Sequence, residues 1–308
     1  MACVPTLQRE MLAAHASHVL EGIEERAFHL EVGGERLFAI LTQPAEGAQN
    51  DLGFVVAHSF GLEVLTLRRA ERGVARAIAS AGHPVLYVHR RGFGDSEGDV
   101  VDATVERQLE DLRGAAAWLH ANAGSARIGA IGCKLGGLFA GMLANTGVAE
   151  RLALFQPAVS GARYWRGFLR EMQVVRLANP DGSDRRSIEQ MEAQLRHDSV
   201  LDVLGYVLPA HLFDGLNDIS LQLDPPPVDT LLVQIAKRNG LAKEYAELRD
   251  AVGTTGARCR VEQVREPTGS LFGTASFVAT TKDVNVRTDV MEPVVDEIAR
   301  IVGEWVRS

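Results

Sequence analysis

Short runs of β-branched and aliphatic residues alternate along the chain with longer stretches whose apolar positions recur at helical spacing. Leu67, Ala70, Val74 and Ile78, for example, return every three or four positions, which is the spacing of one helix face. Strands that alternate with helices of this length predict a mostly parallel sheet with helices on both faces. The eight predicted strands span residues 25–32, 36–42, 53–58, 84–89, 127–132, 151–155, 230–235 and 258–264.

The beginning and the middle of the chain depart from this alternation. Gly33-Gly34 separates the first two predicted strands and favours an antiparallel hairpin. A hairpin followed by strand–helix–strand units is the strand order of an α/β-hydrolase fold. Residues 160–227 are instead rich in aromatic residues and helix-like over 187–196 and 201–216. They are either a loosely packed insertion or, as we prefer, a helical cap over the C-terminal edge of the sheet.

The predicted domain organisation follows from these patterns. Residues 1–22 are predicted to form an N-terminal helical extension, residues 23–159 and 228–308 the α/β-hydrolase core, and residues 160–227 the helical cap.

A glycine-rich turn, Gly132-Cys-Lys-Leu-Gly136, lies between the strand at 127–132 and the next helix. The nucleophile elbow of α/β hydrolases, G-x-S-x-G, needs small residues two positions either side of its central residue, because the sharp turn leaves no room for side chains. Gly132 and Gly136 meet this need only if Lys134 is central. Cys133 cannot take that place, since large residues flank it at the same distance.

Two further loops support the same fold. The run His58-Ser59-Phe60-Gly61 follows an apolar strand, where such proteins form the loop that binds an oxyanion. Residues 91–98 read R-G-F-G-D-S-E-G and match the R-G-x-G-x-S-x-G loop that follows the next strand. Because the three signals occur in the expected order, we expect an α/β-hydrolase fold with a mostly parallel, eight-stranded sheet.

The chain resembles the serine aminopeptidase-like α/β hydrolases, and is similar in particular to the "hydrolase 2" proteins associated with the bacterial exosortase A system. The resemblance covers roughly residues 25–265, whereas residues 1–22 and 267–286 have no counterpart in it. It implies a role in a bacterial biosynthetic or exopolysaccharide pathway. The residues that carry it lie at 58–62, 68–69, 91–99, 132–137, 154–161 and 204–209.

A Ser-His-acid triad requires three roles, and none of them is filled at its expected position. Lys134 stands at the nucleophile position, and Asn239 occupies the acid position after the strand at 230–235. The base should be a histidine after the last strand, yet all nine histidines precede residue 212. A serine without a hydrogen-bonded base is a poor nucleophile at neutral pH. We therefore do not expect hydrolysis through a Ser-His-acid triad.

Three roles stay open for Lys134, because a helix N-terminus carries about half a positive charge that opposes a second cation. The lysine is an inert cation paired with a carboxylate, a cation that binds an anionic ligand, or a neutral amine that acts as base or nucleophile. The carboxylates considered as internal partners are Glu266, Asp95 and Glu97.

Ser59 is a weaker catalytic candidate, as the partner of Lys134 in a Ser–Lys dyad, although its simpler role is to shape the oxyanion loop. The residues expected to bind a ligand beside the elbow are His58, Ser59, Phe60, Leu135, Gln156 and Arg91.

Composition excludes several classes of protein. The chain has 32 Lys and Arg against 40 Asp and Glu, a formal net charge of −8, which disfavours binding to nucleic acid. No apolar run reaches the roughly 18 residues of a membrane span. Cys3, Cys133 and Cys259 are too few and too scattered for a disulfide framework, so a cytoplasmic location is expected. His15 and His18 lack a third ligand, and neither a metal nor a cofactor is expected.

Three functions therefore remain open. The first is a non-hydrolytic or accessory protein that binds a small-molecule acyl, carbonyl or carboxylate ligand. The second is an enzyme that acts on an acyl or carbonyl substrate through Lys134. The third is an esterase or thioesterase with an unusual nucleophile. Fold alone cannot choose among them. A homodimer, formed through the predicted N-terminal helix, is an additional expectation.

Overall fold

The computed structural model describes residues 17–61, 63–177, 186–203, 205–227, 229–266 and 284–308. Within them, nine strands form one sheet in the order β1-β2-β3-β5-β4-β6-β7-β10-β11. These strands are β1 Ser17–Leu20, β2 Ile23–Val32, β3 Glu35–Pro44, β4 Leu52–Ala57, β5 Val85–Val88, β6 Arg127–Cys133, β7 Arg151–Phe155, β10 Asp229–Ala236 and β11 Arg258–Arg265. A separate hairpin consists of β8 Val200–Val203 and β9 Tyr206–Pro209.

The described helices follow the strands in the alternation that the sequence predicts. They are α1 Glu63–Ala79, α2 Val105–Asn122, α3 Leu135–Asn145, α4 Gly161–Leu177, α5 Ile188–Asp198, α6 Ala210–Asn217, α7 Lys243–Gly253 and α8 Val284–Arg307. Local capping explains some of their limits. The Thr104 side chain accepts the backbone N–H of Arg107 and so starts α2. None of the described helices has the length and apolarity that crossing a membrane requires.

The sheet confirms the predicted mixture of one hairpin and parallel strands. Strands β2 and β3 pair antiparallel around Gly33 and Gly34, whose φ angles of 60° and 86° are those of a type I′ turn. Strand β3 also pairs antiparallel with β5, whereas β5, β4, β6, β7, β10 and β11 pair in parallel. This is the strand arrangement of an α/β-hydrolase fold, with β1 as a ninth strand beyond the eight predicted.

Helices cover both faces of the sheet, as predicted. One face packs against α1 and α8, through buried residues such as Ile78 and Trp305. The other face packs against α2 and α3, through buried residues such as Leu112 and Leu138. All six residues of β4 are buried, because both faces of this central strand are covered.

The described part of the insertion, residues 160–177, 186–203 and 205–227, packs against the core. Trp165 of α4 is fully buried and meets Phe60 edge-on, with ring centroids 5.3 Å apart. The ends of the insertion are tied together, since Gly161 N–H donates to the carbonyl of Ile219 at 2.9 Å. These contacts argue against loose packing. The predicted helix over 201–216 is wrong in its first half, where β8 and β9 form a hairpin and only Ala210–Asn217 is helical.

The chain's ends also differ from the sequence-based expectation. Residues 17–20 form β1, which pairs antiparallel with β2, so the helical extension predicted over 1–22 is wrong for these residues. Residues 1–16, including His15, lie outside the described part of the chain, as do residues 267–283.

Candidate functional site

Lys134 lies at the tip of the turn between β6 and α3. Its φ of 53° and ψ of −120° belong to a region that residues with a side chain rarely adopt. A Cβ atom on Gly132 would lie 2.2 Å from the carbonyl oxygen of Gly136, and one on Gly136 would lie 2.0 Å from that of Ala57. Neither position has room for a side chain. The turn is therefore the elbow that the sequence predicts, with Lys134 at its centre.

Backbone hydrogen bonds hold this tip in place. The N–H of Lys134 donates to the carbonyl of Phe155 at 3.1 Å, at the end of the neighbouring strand β7. Its carbonyl accepts the N–H groups of Gly137 and Ala158 at 3.0 and 2.9 Å. The position of the Lys134 Cα is thus set by β7 and α3, whatever side chain it carries.

Glu63, in the first turn of α1, is the carboxylate beside Lys134. Its Oε1 atom lies 4.0 Å from Lys134 Nζ, and the two side chains are 4% and 19% exposed. At 4.0 Å the two charges attract each other but are too far apart for a hydrogen bond. Lys134 Nζ donates no hydrogen bond within the part of the chain that the structure describes, so its N–H groups can reach a ligand oxygen.

The internal partners expected from the sequence are wrong. Asp95 Oδ2 lies 3.5 Å from His89 Nδ1. Glu97 pairs with Arg36 at 2.9 Å. Glu266 is buried just beyond the end of β11, and its backbone N–H donates to the carbonyl of Ala236.

Burial changes the acid strength of Glu63. Desolvation raises its pKa to about 7, although the charge of Lys134 and a hydrogen bond from Tyr164 oppose this rise. The Tyr164 hydroxyl donates to Glu63 Oε2 at 2.9 Å. Two further acids, Glu171 and Glu71, add to the rise. Near neutral pH, Glu63 is therefore present in both its charged and its neutral form.

A cleft of about 240 Å³ opens beside the elbow. Its lining includes Lys134, Gln156, Ser160, Arg163, Tyr164 and Tyr245. The amide oxygen of Gln156 accepts the backbone N–H of Ile235 at 2.8 Å, which ties this side chain to β10. At the rim, Arg163 of α4 pairs with Glu244 of α7 at 2.7 Å. The cleft thus lies between the insertion and the core, and polar groups dominate its lining.

The oxyanion loop is held from behind by Glu71. The backbone N–H of Ser59 donates to Glu71 Oε1 at 2.8 Å, and Ser59 is fully buried. His58 Nδ1 contacts the carbonyl of Ser59, and Arg90 Nη2 donates to the carbonyl of His58 at 3.0 Å. Burial, with the neighbouring charge of Arg90, holds the pKa of His58 well below its usual range. His58 is therefore neutral at pH 7.

The predicted site residues are only partly brought together. Lys134 and Gln156 line the cleft, whereas Phe60 and Leu135 are buried in the core next to it. Arg91 instead binds Asp111, with its Nε 2.7 Å from Asp111 Oδ1. Asn239 is exposed in the loop after β10, and it is not among the residues that line the cleft. No hydrogen bond joins Ser59 to Lys134 among the described residues.

Arg91 also forms ion pairs with Glu35 and Glu110, each at 3.0 Å. These contacts, together with that to Asp111, anchor the loop at 91–98.

Glu63 and Tyr164 are site residues that the sequence reasoning missed. A signal for Glu63 existed, because it is the first acid after the oxyanion loop that follows β4. Strand β4 is the neighbour of β6, with Ala57 opposite Gly132. The loops after two adjacent parallel strands open at the same edge of the sheet. Tyr164 had no comparable signal, since its place depends on how the insertion folds back.

The sheet, the elbow and the flanking helices together define an α/β hydrolase fold. Solved structures of this class are similar to the chain. The Est1E protein of Butyrivibrio proteoclasticus, with ferulic acid bound, is 15% identical and has a TM-score of 0.60; the match covers 92% of this chain and 100% of that chain. The Pyrococcus furiosus esterase PF2001 is 17% identical, with a TM-score of 0.58 and coverage of 92% and 91%.

An α/β serine hydrolase homologue from Coxiella burnetii is 12% identical, with a TM-score of 0.50 and coverage of 94% of this chain and 99% of that chain. Among curated proteins, no match was found. A family model described as X-Pro dipeptidyl-peptidase (S15 family) matches residues 31–204. The chain belongs to this S15 family.

Proposed function

We propose that this protein is a non-hydrolytic member of its family that binds a small carboxylate or carbonyl ligand in the cleft beside Lys134. The observation that carries the proposal is the elbow itself. Its strained tip presents a lysine where a hydrolase of this fold presents a nucleophilic hydroxyl, and the lysine side chain lines the cleft.

The nearby hydroxyl and thiol are poor substitutes for that nucleophile. Ser59 is fully buried in the oxyanion loop, and among the described residues no hydrogen bond connects its hydroxyl to a histidine side chain. Cys133 is buried on the α1 and α8 side of the sheet, and desolvation raises the pKa of its thiol well above the usual value. A neutral, buried thiol is unreactive. The burial of these two side chains therefore supports a function that does not form an acyl-enzyme.

Lys134 suits recognition of an oxygen that carries negative charge. Its ammonium lies at the N-terminus of α3, where the helix dipole also attracts an anion. Because Glu63 is 4.0 Å away, it leaves the ammonium N–H groups free for a ligand oxygen. Tyr164, Gln156 and Arg163 offer further polar groups within the cleft. A carboxylate or a polarised carbonyl oxygen fits this set of donors.

The resemblance to the "hydrolase 2" proteins supports a place for this binding activity in a bacterial biosynthetic or exopolysaccharide pathway. In such a pathway the protein would hold an acidic or acyl intermediate without cleaving it. This accessory role fits a degenerate triad, in which Lys134 and Asn239 replace the nucleophile and the acid.

A test separates binding from hydrolysis. The purified protein should not react with a fluorophosphonate probe, and it should hydrolyse p-nitrophenyl esters no faster than its Lys134→Ala variant does. Calorimetric titration with butyrate, and with ferulate because Est1E holds ferulic acid, should show binding that Lys134→Met abolishes. Lys243→Met, at an exposed surface lysine, is the matched control and should bind normally. Labelling of any serine that is lost on unfolding would refute the proposal.

A second candidate function is an enzyme that uses the Lys134 amine on a carbonyl substrate. The observation that favours it is the proximity of Glu63, a carboxylate 4.0 Å from the ammonium that can accept a proton near neutral pH. In that case the Lys134 nitrogen attacks the carbonyl carbon, water leaves and an imine forms. Borohydride trapping with a small aldehyde tests this chemistry. Preferential labelling of Lys134 over exposed Lys243 would support it, and equal labelling would exclude it.

A further inference from the structure

We infer that Glu63 is a positioning residue of the cleft, and that a small monocarboxylate binds to Lys134 with uptake of one proton by Glu63. The inference rests on the proposed function and deepens it, because it specifies the charge of the ligand and the proton that accompanies it.

Glu63 acts on the cleft through two residues that line it. One carboxylate oxygen, Oε1, faces Lys134 Nζ at 4.0 Å, and the other, Oε2, accepts the Tyr164 hydroxyl at 2.9 Å. Both Lys134 and Tyr164 line the cleft, whereas Glu63 does not. Glu63 is itself only 3% exposed. A change in its charge therefore reaches the ligand through the ammonium and the phenol.

The charges around Glu63 make a second carboxylate costly. Lys134 faces it from the elbow, Tyr164 and Glu171 from α4, and Glu71 from α1. Glu71 is already engaged by the N–H of Ser59 and, at 3.2 Å, by the Tyr87 hydroxyl. A ligand carboxylate on Lys134 would place one more negative charge beside a single ammonium. Two carboxylates that share one buried site do not both stay ionised.

Protonation of Glu63 removes this conflict at low cost. Its pKa is about 7 before any ligand is present, so its neutral form is already populated in the free protein. Neutral Glu63 leaves the Lys134 charge to the ligand. The affinity for an anion is therefore highest below pH 7, where Glu63 holds its proton, and it falls above pH 7. Between pH 6 and pH 8 the affinity should fall about tenfold, and at pH 7 about half a proton should be taken up per ligand.

The experiment measures butyrate binding to the full chain by titration calorimetry at pH 6, 7 and 8. At pH 7 it is repeated in two buffers of different ionisation enthalpy, which gives the number of protons taken up. Butyramide, the neutral analogue of butyrate, should bind without a pH dependence. Wild-type protein should show the tenfold fall and the proton uptake with butyrate alone.

Variants test whether Glu63 is the responsible group. Glu63→Gln imitates the protonated side chain, so it should keep the pH 6 affinity, lose the fall toward pH 8 and take up no proton. Tyr164→Phe removes the hydroxyl that stabilises the charged form of Glu63, so the midpoint of the fall should move to higher pH. Glu247→Gln changes an exposed acid of α7 that does not line the cleft, and should leave the midpoint where it is in the wild type.

The outcomes separate this inference from the function on which it rests. Lys134-dependent binding of butyrate without proton uptake would overturn the inference and leave the proposed function standing. A Glu63→Gln variant that retains the wild-type pH profile of butyrate binding would likewise overturn the inference and leave the proposed function standing. An absence of butyrate binding at every pH would overturn both. If Glu63→Gln fails to fold, Tyr164→Phe provides the test, and a midpoint that stays at its wild-type pH in this variant would overturn the inference.

Discussion

Replacing Lys134 with glycine and with alanine separates the strain of the elbow from the chemistry of its side chain. Both substitutions remove the ammonium and its attraction to Glu63, so the difference between them reports on the backbone alone. At an ordinary position glycine is the less stable choice. At Lys134, with φ of 53° and ψ of −120°, we expect the opposite order.

The magnitude follows from two opposing contributions. A residue with a Cβ atom in this region of φ and ψ costs about 1–3 kcal/mol, which glycine relieves because it lacks the Cβ. Glycine also has more conformational freedom in the unfolded chain, which costs roughly 0.5–1 kcal/mol. The net expectation is that Lys134→Gly is more stable than Lys134→Ala by about 1 kcal/mol.

Urea unfolding of the two variants, followed by tryptophan fluorescence and by circular dichroism, measures this difference. Ala117→Gly serves as the control, because Ala117 is exposed within α2 and glycine should cost about 1 kcal/mol there. If Lys134→Gly proves less stable than Lys134→Ala, as at the control position, then the tip is not strained in solution. The elbow geometry would then be wrong.

Three further predictions concern stability. Gly136→Ala should destabilise the fold by roughly 3 kcal/mol or more in the same urea assay, because its Cβ would lie 2.0 Å from a carbonyl oxygen. Gly253→Ala is the control, because a Cβ there would meet nothing within 4 Å, and it should be neutral or slightly stabilising. Arg91→Met should cost about 3–5 kcal/mol because it leaves buried Asp111 uncompensated, and the double variant Arg91→Met/Asp111→Leu should recover most of that loss in thermal unfolding. As the pH rises from 5 to 8, Glu63→Gln should become more stable than the wild type by an additional amount on the order of 3 kcal/mol. The reason is that the pKa of Glu63 is raised to about 7 in the folded protein, so ionisation of this carboxyl favours the unfolded state, and only the wild type has the carboxyl. A stability difference that does not change with pH would contradict this prediction.

Sequence predicts the elbow well because the turn itself dictates residue types. Only glycine fits at 132 and 136, so the spacing of two glycines locates the central residue without any knowledge of the rest of the fold. The hairpin at Gly33-Gly34 is predictable for the same reason, since both residues have positive φ. In each case a local steric limit links residue type to backbone conformation.

The hairpin of β8 and β9 shows where this local reasoning fails. Residues 201–208 are mostly apolar, and a short apolar run does not distinguish a strand from a buried helix. The turn depends on Gly205, whose φ of 82° is one conformation among several open to glycine. Strand β1 has only four residues, and it exists because β2 offers it an edge to pair with. Tertiary contacts decide both elements.

The sequence indicates the carboxylate beside Lys134 only weakly, because the pairing depends on distances across the sheet. Asp95 and Glu97 belong to a loop that the sequence places near the site, yet His89 and Arg36 engage them. Glu63 is the first residue of α1, and it reaches Lys134 only because β4 and β6 are adjacent in the sheet.

The chemistry of the site follows from a balance of three charges. The N-terminus of α3 and the Lys134 ammonium are both positive, and the backbone holds them together through the hydrogen bonds to Phe155 and Ala158. Ionised Glu63 attracts the Lys134 ammonium, but burial disfavours the ionised form of Glu63 and raises its pKa to about 7. An incoming anion can therefore take over the role of Glu63 beside Lys134, while the proton that Glu63 gains keeps the buried charge unchanged. A serine at the same tip would carry no charge and would need no counter-charge, so under the proposed function the Lys134–Glu63 pair serves the binding of an anion and not acyl transfer.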